Sequence, residues 1–357
     1  MEINMRYKYL DVAKGITLLF VLMAHSCGFP FGLGGYCTAY FMALYFIISG
    51  YTRSEYMPKD TELNKSYICR RIKKIVLSYF FYNILIFMIY SLWKGFGSIR
   101  EAVWAILGIL YSSYCIRFPI KETDFFCYRI YNNATWFLTA FFCADVIFII
   151  YRRYCVRGRY KAAVFILFAV ISQMLYYCPV YLPWNMDKAF IGAAFMILGY
   201  ERKKKGQSET VSGWRQAVKV ILFIAIYVFL VNFNPGINLA TREYGSRGVF
   251  SVGIYLIIGY VGSMLCIWGS LLISKIPVMG DVFALIGKEV LPIMAMHLIL
   301  YQIFDQILYL YVPTITEGLF GWGIAILRIG MTCVIIIGAS YGMRYIRKTK
   351  AGKEKSR

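Results

Sequence analysis

The chain has 357 residues, of which 60% are hydrophobic and 16% charged, and its mean hydropathy is +0.59. Apolar runs of about twenty residues, at ~1.5 Å of helix rise each, match the ~30 Å hydrocarbon core of a bilayer, so a soluble globular domain is excluded. The formal net charge of +21 comes mainly from Lys and Arg in short loops between these runs, so no nucleic-acid partner is expected.

The apolar runs predict an all-α membrane protein, a bundle of about ten transmembrane helices. The predicted spans are 9–28, 36–52, 72–93, 135–151, 160–178, 186–200, 216–233, 250–274, 289–311 and 320–342. Residues 99–116 form a further apolar stretch, which we interpret as a re-entrant or interfacial element of an outward loop. Inserting this stretch as a span would invert every later loop.

The loop charges predict which side of the membrane each loop occupies. The loops at 53–74, 152–161 and 201–219 are rich in Lys and Arg, which keeps short loops in the cytoplasm, whereas 29–35 and 312–319 contain neither residue. Both termini are therefore predicted to be cytoplasmic. This gives one transmembrane domain over residues 1–345 and a basic cytoplasmic tail over 346–357.

The first predicted helix carries polar residues at membrane depth. Asp11 and Lys14 lie three residues apart near its cytoplasmic end, and His25 lies eleven residues after Lys14, close to three full turns. Lys14 and His25 should therefore share a face, ~16 Å apart along the axis. A structural interpretation has Lys14 reaching to the interface and His25 packing between helices, but ionisable groups inside spans are by default functional candidates.

The basic segment CRRIKKIVLSYF opens the third predicted span. Arg71 and Lys74 belong to a group of four cations in five positions. Ordinary positive-inside charge explains this composition, whereas a functional interpretation is a site for the phosphates of an anionic ligand.

The ninth predicted span places His297 near mid-membrane and Asp305 eight residues later, about 80° around the helix. A carboxylate beside an imidazole fixes its tautomer and raises its basicity, as general-base catalysis on a hydroxyl requires. The alternative is that Asp305 forms a structural ion pair with Arg328 of the last span.

The ten cysteines are scattered singly, and the sequence contains no C-x-x-C motif. With only two histidines in the chain, no metal site and no resident cofactor are expected. Cys115 and Cys127 are candidates for a disulfide in an outward loop.

Five segments, taken in order, resemble the acyltransferase-3 family of multi-pass membrane O-acyltransferases. They are YLDVAKGITLLFVLMAHS, FMALYFIISGY, CRRIKKIVLSYF, TWFLTAFF and LPIMAMHLIL. The resemblance implies the family's membrane module alone, in a bacterial cell membrane. It further implies transfer of an acyl group, usually acetyl, from cytoplasmic acyl-CoA to a hydroxyl of a cell-envelope sugar or other glycan.

The family motifs fall on particular residues of this chain. The first-helix pattern of Arg, ten residues and an essential His corresponds to Lys14 and His25, and Lys keeps the charge but loses the bidentate fork. The R-x-x-R motif corresponds to Arg71 and Lys74, with Ser78 where a proline is common.

Trp136 and His297 match further recurrent positions of the family. The resemblance suggests a mechanism in which Arg71 and Lys74 hold the CoA phosphates and Lys14 lines the route of the donor. His25 then acts as general base or acyl carrier, and Trp136 stacks on a sugar ring.

Two other classes of function are compatible with buried charges in a helical bundle. A transporter or lipid-linked glycan flippase often shows a two-fold internal repeat, which this sequence lacks. A scaffold subunit would have no need for a histidine at position 25. The sequence does not choose between direct and covalent transfer, and it does not give the oligomeric state.

Overall fold

The computed structural model describes residues 7–26, 28–56, 69–112, 133–155, 160–205, 213–311 and 318–355. Over these residues the chain is mostly helical, with one short antiparallel hairpin in which Ile237 pairs with Tyr244. This architecture agrees with the predicted all-α membrane protein.

Twelve α-helices follow one another through the described residues. They are α1 (Lys8–Ala24), α2 (Gly34–Tyr56), α3 (Cys69–Trp93), α4 (Ile99–Tyr111), α5 (Trp136–Tyr154), α6 (Lys161–Tyr177), α7 (Met186–Lys204), α8 (Trp214–Phe233), α9 (Ser251–Ile273), α10 (Met279–Lys288), α11 (Val290–Tyr311) and α12 (Gly318–Lys355). The hairpin strands β1 (Ile237–Asn238) and β2 (Glu243–Tyr244) connect α8 to α9.

Five helical segments within the described residues are long and apolar enough to cross a bilayer. They are Cys69–Trp93, Trp214–Phe233, Gly248–Ile273, Val290–Leu308 and Gly321–Ile346, and α6 is a shorter apolar helix. The chain therefore has the composition of a membrane protein, while ten spans and the position of the termini stay predictions.

The apolar stretch at 99–116 forms a short helix in its described part. With 13 residues, α4 extends ~20 Å, less than the ~30 Å hydrocarbon core. The side chain of Ser98 begins the helix by accepting a hydrogen bond from the Glu101 amide at 3.2 Å. This length agrees with an element that does not cross the membrane, and residues 113–116 lie outside the described residues.

The chain divides into two compact units, residues 1–34 with 269–357, and residues 35–268. The first unit contains α1, α10, α11 and α12. The second contains α3 to α8 with nearly all of α2 and most of α9.

In the first unit, α1 packs against α10 and α11. Gly15 of α1 faces the Phe283 carbonyl and Gly287 of α10 faces the Asp11 carbonyl, and a Cβ at either glycine would collide with that backbone. The two helices therefore cross at backbone contact, as small residues allow in membrane bundles. The short helix α10 lies outside all the predicted spans.

In the second unit, α7 packs against α5 and α6. Helix α7 also crosses α2 closely, since Gly50 faces the Met196 carbonyl and Gly199 faces the Ile47 carbonyl. This reciprocal pair of glycines sets the distance between the two helices.

Candidate active site

The two histidines of the chain meet within the first unit. His25 directly follows the last residue of α1 and is exposed, whereas His297 lies within α11 and is fully buried. Their ring centroids are 5.2 Å apart. The fold thus brings together two predicted site residues that stand far apart in the sequence, while their catalytic roles stay predictions.

A backbone hydrogen bond fixes the tautomer of His297. Its Nδ1 lies 2.8 Å from the Met294 carbonyl oxygen. Because a carbonyl oxygen only accepts, Nδ1 carries the proton and donates, which leaves a lone pair on Nε2. Nε2 is buried and makes no hydrogen bond with any residue that the structure describes. The Tyr301 ring and the imidazole pack in a T-shaped arrangement, with 5.6 Å between their centroids.

Asp305 forms an ion pair with Arg328, one of its two predicted arrangements. Arg328 Nη1 donates to both carboxylate oxygens, at 2.6 and 2.8 Å. The same guanidinium reaches Ser26, where Nη2 and Nε lie 2.6 and 3.2 Å from the hydroxyl oxygen. Asp305 is therefore linked to the turn that carries His25, and its alternative role beside His297 stays a prediction.

Lys14 lies in the middle of α1 and reaches back along the helix. Its Nζ pairs with Asp11 Oδ1 at 2.6 Å, and the Asp11 side chain is 3% exposed. Asp11 and Lys14, three residues apart, thus lie on one face of an unbroken helix. The role of Lys14 in binding the donor stays a prediction.

The predicted donor motif lies on an irregular turn in the second unit. Residues Ile72–Val76 form a π-helical turn directly after Arg71, within α3. Lys74 is exposed on this turn. Single π-helical turns inside α-helices occur frequently at functional sites, because the wider turn redirects the side chains around it.

Arg71 is held by a carboxylate that the sequence reasoning missed. Arg71 Nε donates to Asp145 Oδ2 of α5 at 2.7 Å, and Arg53 of α2 pairs with the other oxygen, Oδ1. Asp145 is 1% exposed, so two guanidinium groups share one buried carboxylate. A lone carboxylate in an apolar helix signals a buried partner, which would have singled out Asp145.

Trp136 is part of a second buried cluster in this unit. The Lys188 ammonium lies 5.1 Å from the centroid of the Trp136 ring and donates to Asn185 Oδ1 at 2.5 Å. Beside it, Arg242 Nε lies 3.1 Å from Asp187 Oδ2. Trp136 is only 7% exposed. The stacking of Trp136 on a sugar stays a prediction. Two adjacent charged residues in an apolar helix, Asp187 and Lys188, were the sequence feature that could have indicated this cluster.

Several further predicted features fall wholly or partly outside the described residues. These are the disulfide between Cys115 and Cys127 and the loops at 53–74, 152–161, 201–219 and 312–319.

These features define a helical membrane protein with an imidazole pair in one unit and two arginines on a buried carboxylate in the other. The model of the acyltransferase domain of the acyltransferase-3 family matches residues 7–342, nearly the whole chain. The chain therefore belongs to this family, which confirms the predicted resemblance and favours an acyltransferase over a transporter or a scaffold. Comparisons with curated proteins and with solved structures found no match.

Proposed function

We propose that this membrane acyltransferase moves an acetyl group from cytoplasmic acetyl-CoA to a hydroxyl of a cell-envelope glycan, in a bacterial cell membrane. The observation that carries the proposal is the contact between the only two histidines of the chain. Their spans match the family motifs, and imidazole is the side chain best suited to move a proton near neutral pH.

His25 is the proposed general base. Its side chain is exposed at the end of α1, so an acceptor hydroxyl has access to it. As the hydroxyl oxygen bonds to the acyl carbonyl carbon, the imidazole takes its proton, the thioester C–S bond breaks, and the proton passes to the departing CoA thiolate. In the covalent route the imidazole nitrogen bonds to the thioester carbonyl carbon, the C–S bond breaks and CoA leaves as the thiol with the imidazole proton. The acceptor hydroxyl then bonds to the acyl carbon, the C–N bond breaks and the hydroxyl proton returns to the imidazole.

His297 is the proposed partner of that base. Its protonated Nδ1 is engaged with Met294, so its remaining nitrogen is an acceptor in a dry environment next to His25. An acceptor at this place favours the orientation of His25 in which its protonated ring nitrogen faces His297. The other ring nitrogen of His25 is then available as base. Asp305 supports the pair through Arg328.

The CoA phosphates are the proposed ligands of Arg71 and Lys74. The exposure of Lys74 on the π-helical turn supports this proposal, as does the buried Asp145 carboxylate that holds Arg71 beside it. Arginine and lysine suit phosphate groups, arginine through its planar fork and lysine as a point charge. Lys14 is the third proposed donor-binding cation.

Trp136 is the proposed acceptor-binding residue, because indole rings stack well on sugars. Since the residue is 7% exposed, contact with a glycan requires neighbouring side chains to move aside. The proposal includes about ten spans with both termini in the cytoplasm. Loop charge then puts the donor motif inside and the start of α5 outside.

Purified protein in liposomes with radiolabelled acetyl-CoA tests the function. We expect hydrolysis or transfer of the label by the native protein and a ~10²–10⁴-fold loss in His25→Ala, because proton transfer contributes about that factor. Gln302→Ala, an exposed change on α11, is the control for folding and insertion. Near-normal turnover in His25→Ala would contradict the mechanism. Label retained on the native protein without acceptor, and absent from His25→Ala, would identify the covalent route.

A further inference from the structure

Arg328 joins three helices of the first unit around His25. From α12 its Nη1 donates to Asp305 of α11, and its Nη2 and Nε lie 2.6 and 3.2 Å from the hydroxyl of Ser26. Ser26 is the residue directly after His25 and lies beyond the last turn of α1. One guanidinium therefore links the turn that carries the proposed base to two helices from the other end of the chain.

The contacts around Arg328 close into a ring. The guanidinium carbon lies 4.5 Å from the centroid of Tyr301, and the Tyr301 ring packs against His297. The Tyr301 hydroxyl also donates to the Leu22 carbonyl in the last turn of α1, at 3.2 Å. Since His297 in turn contacts His25, the chain of contacts returns to the residue beside Ser26.

The ion pair between Arg328 and Asp305 fixes the orientation of the guanidinium within this closed set of contacts. The Arg328 side chain is 12% exposed and that of Asp305 is 53% exposed, so the carboxylate neutralises a largely buried cation. With Asp305 occupying Nη1, the guanidinium plane is fixed, and its Nε and Nη2 edge is directed at one hydroxyl. Helix ends fray without such contacts, because their last carbonyl groups have no partner within the helix.

We infer that Arg328 and Ser26 are positioning residues that fix His25 for acyl transfer, with Asp305 holding Arg328 in place. This inference rests on the proposed function. The two residues act through His25 and do not touch the reacting groups. The sequence offered Arg328 only as a structural partner of Asp305, and its link to Ser26 is visible only in the fold.

Steady-state kinetics of four variants test the inference. Ser26→Ala and Arg328→Gln should each lower kcat roughly ten- to a hundredfold, since a displacement of about 1 Å at a reacting group costs up to that factor. KM for acetyl-CoA should stay unchanged, and Ser26→Thr, which keeps the hydroxyl, should retain activity. The double variant should be no slower than Arg328→Gln alone, because both changes remove one interaction.

Arg344→Gln is the matched control. Arg344 lies on the same helix and pairs with Glu289, which precedes α11 and is not among the residues that contact either histidine ring. An equal loss of kcat in this variant, or additive losses in the double variant, would overturn the positioning role.

A second measurement does not depend on activity. Because the chain has two histidines, protein labelled with 15N-histidine and purified without a histidine tag shows ring signals from His25 and His297 only. His25→Ala assigns them. Ser26→Ala and Arg328→Gln should shift or broaden the His25 signals, and Arg344→Gln should not.

The two measurements separate the possible failures. Unchanged His25 signals in both Ser26→Ala and Arg328→Gln would overturn the inference even if the protein transfers acetyl groups. If the His25 signals shift but the protein shows no acyl transfer, the positioning of His25 by Ser26 and Arg328 stands and the proposed function is rejected.

Discussion

His25 and His297 occupy different environments although their rings are in contact. One imidazole is exposed at a helix end, and the other is fully buried with one nitrogen hydrogen-bonded to backbone. Only the exposed ring is accessible to an acceptor hydroxyl. In the proposed mechanism this ring therefore exchanges protons and the buried ring orients it.

The donor site can be tested at Lys74. Lys74→Ala should weaken CoA binding by about 1.5–3 kcal/mol, the contribution of a hydrogen bond to a charged group. The loss should shrink as salt is raised, because the exposed charge is screened. Isothermal titration of CoA at low and high salt measures both effects.

Two comparisons sharpen this test. Arg100→Ala removes an exposed cation outside the motif and should leave the affinity unchanged. Arg71→Ala should weaken CoA binding at least as much as Lys74→Ala does. It also removes an arginine partner of the buried Asp145 carboxylate, which disturbs the packing of the motif. Unchanged affinity for CoA in Lys74→Ala would contradict the donor site and favour the alternative, in which the basic motif only determines membrane topology.

Single residues of the site were predictable where a motif fixed their spacing. Lys14, His25 and His297 could be named from sequence, and the partner of Asp305 was one of two candidates. Asp145 could have been singled out as a carboxylate in an apolar helix, but its partners could not be named from sequence. Arg53 and Arg71 come from two other helices, so only the packing of three elements brings them to it.

At the scale of elements, the close crossing of α1 and α10 decides where the first helix sits. The crossing depends on Gly15 and Gly287, each of which faces backbone of the opposite helix. No soft side chain lies at the contact to give way, so the helices would have to separate to admit a methyl group.

Gly15→Ala should therefore destabilise the protein by about 1–3 kcal/mol, the usual cost of overpacking. Gly338→Ala is the control, since nothing lies within 4 Å of a Cβ there. That change should be neutral or stabilising by up to about 1 kcal/mol through helix propensity. Thermal unfolding in one detergent compares the midpoints, and equal shifts in the two variants would argue against the crossing.

Helices longer than about fifteen residues were largely predictable from hydropathy, whereas α10 and the π-helical turn were not. α10 has ten residues, and four of them are buried, including Gly280, Ala284 and Gly287. A small-residue face of this length gives no apolar run of membrane-spanning size. The π-helical turn at Ile72–Val76 directly follows Arg71, and no hydropathy or composition pattern predicts it.

At the scale of the whole molecule, the family and the helical class followed from sequence, and the division into two units did not. That division separates the first helix from its neighbours in sequence and groups it with the last ones. Hydropathy treats each span alone and holds no information about which distant spans pack together.

The sidedness of the membrane is the molecular property on which donor and acceptor access depend. Leu33→Cys, at an exposed position before α2, should react with an impermeant thiol reagent from outside. Lys205→Cys, exposed at the end of α7, should react only after permeabilisation. Both are made in a background without accessible native cysteines. The reverse pattern would invert the topology and place the donor motif on the side without CoA.

The discontinuous make-up of the first unit also orders events during biosynthesis. α10 begins 255 residues after α1 ends, and α11 and α12 follow it. At ~5–20 residues synthesised per second, His297 and Arg328 are made roughly ten to sixty seconds after His25. A nascent chain thus carries no assembled imidazole pair. Under the proposed function, a chain truncated before α11 lacks His297 and Arg328 and is expected to be inactive.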